Sequence, residues 1–176
     1  MEKLRYTDET DRCFGAAGMA VSLVIYDGDE LLNSISLDHE DSPARTMDMS
    51  PDFFFAGSPA VSARAAWNQI VKNYNIGVAM AIANLLCRYY VNRHAGLPDD
   101  VRDALRTMAV EEGHESCQLD DDEIETIFDK NFNYLSRVFS HRGVQSVVHD
   151  FTSALASRRT LSRLDTLDLL SALQSL

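Results

Sequence analysis

The sequence predicts a mostly helical α+β fold, with a short N-terminal antiparallel β-hairpin or meander packed on a C-terminal bundle of five to six helices. Three observations carry this expectation. Apolar residues alternate on either side of Asp27-Gly28, the apolar period becomes helical after Ser58, and Gly, Pro and capping residues punctuate the remainder of the chain.

The hairpin is expected in residues 19–37, MAVSLVIYDGDELLNSISL. Val21, Leu23 and Ile25 alternate on one arm, and Leu31, Ile35 and Leu37 share a face of the other. Asp27-Gly28 is a favoured tight turn because both residues tolerate positive φ. Residues 29–38 also admit a short helix, but their β-branched and Ser content favours the strand. The run Asp52–Gly57, DFFFAG, reads as a third strand.

Ser58-Pro59 reads as an N-cap followed by proline at the first helical position. Trp67, Ile70, Val71 and Tyr74 then recur at helical spacing and are expected in the core. Asn73-Tyr74-Asn75 with Gly77 predicts a break or kink there. Residues 76–91 are apolar nearly all round, as in a helix buried on most sides, and Gly96 and Pro98 stop it. The next helix carries Val101, Leu105 and Met108 inward and closes near Gly113. Asp120 and Glu123 have capping-box spacing for a further helix. Gly143 separates it from the stripe Val144, Val147, Val148, Phe151, Leu155, and a Leu-rich amphipathic helix completes the chain. The sequence reads as a single domain, 1–176, with a β-rich part at 1–56 and a helical part at 57–176.

The formal net charge is −11, which argues against nucleic acid or anionic membrane as a partner, since both need a cationic surface. No run of eighteen apolar residues predicts a membrane span, the N-terminus lacks a secretory apolar segment, and three irregularly spaced cysteines fit a reducing compartment. The expected location is cytoplasmic. From Phe53 through Pro98 there is no Asp or Glu, while both flanking segments are strongly acidic.

Two constellations are the site candidates. His114 and Cys117, in EEGHESC, have the spacing of two zinc ligands from one turn, but no second paired motif completes a site. The surrounding carboxylates should raise the Cys117 thiol and suppress its reactivity. Arg88 and Asn84 stand one turn apart on an otherwise apolar helix. A buried guanidinium must be paired, so the expected arrangement is a carboxylate partner from an acidic segment. The alternative is a pocket where Arg88, Asn84 and Arg64 receive a small anionic ligand. His141 and His149 lie too far apart to share an ion, and His39 is expected to be a solvated loop residue. The glycines of GAAG precede a run read as strand, the wrong order for a phosphate loop, and no serine-hydrolase elbow occurs.

These features predict no resident cofactor and point away from an enzyme. They favour an acidic interaction or structural module that self-associates through its apolar helix faces, as a homodimer or with another protein, Leu170 and Leu173 being the expected contact residues. A small-molecule binder is the alternative.

Overall fold

The computed structural model describes residues 4–38 and 43–175 and is mostly helical, with a small antiparallel sheet. His39 lies outside the described residues. Helix α1 spans Glu9–Ile25, with Asp8 as its N-cap accepting from the Asp11 amide at 2.8 Å. It is buried continuously from Asp11 to Leu23. The first arm of the expected hairpin is therefore helix. A helix enclosed on all sides shows no one-sided apolar stripe, so the alternation of Val21, Leu23 and Ile25 mimicked a strand. Ser22 fits this interior by donating its hydroxyl to the Met19 carbonyl. Asp27 does adopt positive φ (50°), but as a helix stop: the Gly28 amide bonds back to the Leu23 carbonyl at 2.8 Å.

Strand β1, Leu32–Ser36, is where the sequence places the second arm. Its partners lie further along the chain. Strand β2, Met47–Met49, comes after a single helical turn, α2, Pro43–Thr46, and pairs antiparallel with β1 on one side. Strand β3, Thr160–Ser162, pairs with β1 on the other, Ile35 opposite Leu161. Asp52–Gly57 is not a strand: Pro51–Phe54 form a 3₁₀ turn, with Ser50 capping it.

Helix α3, Ala63–Leu86, begins at Ser62 rather than Ser58 and passes unbroken through the Asn73–Gly77 stretch. A π-helical segment, Cys87–Asn92, continues it. Together they form one helix that is long and apolar enough to cross a membrane by length and composition, with mean hydropathy 1.3. Here 67% of its most apolar window is buried inside the protein, chiefly on α1 and on helix α5, Asp121–Ser140.

Trp67 departs from the expected core stripe, being 47% exposed. Its indole N–H donates to the Cys117 carbonyl at 3.2 Å, tying the start of α3 to a distant turn. Trp67→Ala should therefore cost about 1–2 kcal/mol in chemical denaturation, below the ~3–5 kcal/mol of a core tryptophan. A core-sized loss would contradict this placement.

Helix α4, Asp99–Glu112, runs into a second π-helical segment, Gly113–Cys117, which ends at Gln118 with φ of 54°. Helix α5 opens with the expected capping box of Asp120 and Glu123. Helix α6, Arg142–Arg158, starts after His141, and the Val144-to-Leu155 stripe is buried as its spacing predicts. The terminal helix α7, Arg163–Leu170, is not a free apolar face. Leu170 is buried and Leu173 packs against the same core, so substitutions there would damage the fold before any contact with a partner. Arg158, Arg159 and Arg163 are paired with Asp165, with Glu9 and Asp38, and with Asp29.

Candidate functional site

Arg88 is carried inward by the π-helical end of α3, and its guanidinium is fully engaged. Nε donates to Asp11 Oδ2 at 2.9 Å, and Nη2 lies 2.7 Å from the same oxygen. Nη1 donates to the Leu4 carbonyl and Asn84 Oδ1, and Nη2 also to the Arg5 carbonyl. The Tyr6 ring lies 4.8 Å from the guanidinium carbon. All five donors have acceptors, so none is left for a ligand. Asn84 is likewise spent, donating to the Tyr6 hydroxyl at 2.8 Å. Arg64 is exposed at the other end of α3, and 24 residues of helix set it about 36 Å from Arg88. The three residues do not form one anion site.

Asp11 is the carboxylate that a buried Arg88 requires. It is fully buried, also meets Arg93 Nη2 at 3.0 Å, and accepts from the Thr7 amide at 3.1 Å. Burial alone would raise its pKa. The Arg88 hydrogen bond, the Thr7 amide and the charges of Arg88 and Arg93 outweigh that and hold it below the ordinary carboxylate value. A depressed folded-state pKa contributes stability above the unfolded value, which is lost as pH falls through the folded one. Stability should therefore decline below about pH 4, and Asp11→Asn should flatten that decline in thermal melts across pH. An unchanged acid limb in Asp11→Asn would exclude Asp11 as its source.

The metal candidate also separates. His114 Nε2 sits 2.8 Å from Asp121 Oδ1 at the surface, while Cys117 is buried with its thiol toward the Ile70 carbonyl at 4.0 Å. Among the described residues no group of three or more His, Cys, Asp and Glu side chains is placed to hold a metal ion. Burial, with Glu112 adding to it, raises the Cys117 thiol; burial likewise pushes Cys13 to about 11.

A groove of about 960 Å³ along α3 has room for a partner. Its floor uses Ile70, Tyr74, Gly77, Ala81 and Leu85, one face of α3 traced from residue 70 to residue 85, or about 22 Å. One wall is the 3₁₀ turn and β2, with Phe53, Phe54, Phe55, Met47 and Met49. The other is α4, with Leu105, Met108, Ala109, Glu111 and Glu112, continued by Glu115 of the π-helical segment that follows. The groove exists because α3 packs on α1 and α5 but barely touches α4. Tyr74 bridges the gap, donating its hydroxyl to the Ala109 carbonyl at 2.8 Å. Asn73 holds the Phe wall by donating to the Asp52 and Phe53 carbonyls. Phe54 is 69% exposed and Met108 40%, so large apolar side chains stand open at the rim.

Both π-helical segments adjoin this groove, one beginning just past Leu85 and the other contributing Glu115 and Ser116. Such wide turns recur at functional sites because they re-aim side chains. Sequence reading missed the groove because its residues individually look like core. The cluster of Met47, Met49 and Phe53–Phe55 outside any long apolar helix is the one signal that pointed to it. Comparison of this chain with protein-family models, curated proteins and solved structures yields no match.

Proposed function

We propose that this protein is an interaction module that binds an amphipathic helix of a protein partner in the groove along α3. The observation that carries this reading is the shape of the groove, an apolar trough about four helical turns long with open Phe and Met rims. An amphipathic helix presents apolar anchors one turn apart and lays them into such a trough. Methionine suits the task, because its unbranched thioether repacks around different shapes. Leu170 is buried and Leu173 partly buried against the same core, so the groove takes over the role of contact surface that self-association assigned to them.

A second reading is a single apolar small molecule, favoured by a volume of about 960 Å³, at the upper end of ligand pockets. A photo-crosslinking amino acid at Ala81, in the groove, separates the two when compared with the same probe at exposed Ser153 on α6. The expected result in the native host is a light-dependent adduct to a discrete protein from position 81 and none from 153. It should vanish when Gly77→Leu is added. An adduct of small organic mass, or equal protein adducts from both positions, would overturn the helix-binding reading.

A further inference from the structure

We infer that the helix received by the groove is cationic, with Lys or Arg side chains set against Glu111, Glu112 and Glu115; this rests on the helix-binding reading above. Among the described residues, the charged side chains lining the groove are all carboxylates, and no Lys, Arg or His lines it. Helix α3 contributes no charge to the floor: its two charged residues, Arg64 and Lys72, do not line the groove. The cations of α4 are also committed elsewhere: Arg106 pairs with Glu125 and Asp129, and Arg102 with Asp129, all on α5.

That leaves three exposed carboxylates within five residues at the groove's α4 end. Glu112 accepts from the Ser116 hydroxyl at 2.5 Å, and among the described residues Glu111 and Glu115 have no ion-pair partner. Their mutual repulsion is relieved by a cation arriving with the occupant and increased by an anion. Apolar trough and acidic rim together match one face of Leu, Ile or Phe flanked by Lys or Arg. The net charge of −11 acts in the same direction at longer range, drawing cationic partners in and repelling a second copy of this chain. The partner is thus a different protein, with a basic amphipathic helix.

The test uses three fluorescein-labelled model peptides of roughly 18 residues, long enough to cover the groove as a helix. They share one leucine face and differ only in a polar face of Lys, Gln or Glu. Binding to the full-length protein is read by fluorescence anisotropy. The expected order is Lys tightest, at least tenfold over Gln, with Glu weakest and the Lys advantage shrinking as salt rises. The triple variant Glu111→Gln, Glu112→Gln, Glu115→Gln should erase the tenfold advantage while keeping Gln-peptide affinity. Its three side chains are exposed, so the variant should melt like the parent.

Gly77→Leu should abolish binding of all three. A Cβ at Gly77 meets only the Phe53 ring, at 3.7 Å, so the added side chain enters the groove without forcing the backbone. Equal affinities for the three peptides, or a Lys advantage that survives the triple variant, would overturn the cationic inference while the helix-binding reading stands. Binding untouched by Gly77→Leu, or no binding of the Gln peptide, would overturn the helix-binding reading as well.

Discussion

Asp11→Ala should destabilise the protein by about 3–5 kcal/mol, because it strands a buried guanidinium whose only counter-charge is removed. Arg88 would keep the Leu4, Arg5 and Asn84 oxygens as acceptors, yet no anion would remain within reach. Arg88→Met should cost clearly less. It leaves Asp11 with Arg93 and the Thr7 amide, and the methionine retains most of the buried bulk. The double variant should be no worse than Asp11→Ala alone, since the two changes remove one shared interaction. Urea denaturation monitored by circular dichroism measures all three. Arg88→Met costing as much as Asp11→Ala would show that the arginine stabilises chiefly by packing. A loss of this size consumes much of the ~5–15 kcal/mol that typical domains possess.

Gly18→Ala should be comparably damaging, at roughly 3 kcal/mol, for a steric reason. An added Cβ would overlap the Ala83 carbonyl and press on Cys87 Cβ at 2.8 Å. The atom in the way is backbone in α3, so neither helix can yield without disturbing the Arg88 pairing one turn further on. Gly77→Ala provides the control: it adds the same methyl to α3, where it makes only van der Waals contact with the Phe53 ring at 3.7 Å. It should stabilise by about 0.5–1 kcal/mol through helix propensity alone. Thermal melts of the pair should move in opposite directions. A tolerated Gly18→Ala would show that α1 and α3 are not in backbone contact at this point.

Much of the helical half was legible because its helices are one-sided and capped. The Asp120–Glu123 capping box and the stripe from Val144 to Leu155 stem directly from side-chain type and spacing. Helix α1 was not legible as helix, since burial on every side removes the polar face by which a helix is recognised. Strands β2 and β3 are three residues each and exist only because β1 lies between them. Asn73–Gly77 bears turn residues yet stays helical, because Asn73 spends its side chain holding the Phe53 segment and Tyr74 spends its hydroxyl on α4. The need for an acidic partner for Arg88 was readable from composition. That the partner is Asp11 depends on α1 being helical and lying against α3. The groove depended on something no single residue reveals, the divergence of α3 from α4.

The position of β1 between β2 and β3 also sets an order of events on the ribosome. Ser36 pairs with Thr160, 124 residues later in the chain. At roughly 5–20 residues per second, about 6 to 25 s of synthesis separate the two strands. Throughout that interval β1 has at most β2 beside it, and its other edge offers unpaired amides and carbonyls to whatever is near. Completion of the sheet is thus a late step that follows synthesis of α1 to α6, and the nascent chain is most exposed to mispairing just before Thr160–Ser162 emerge.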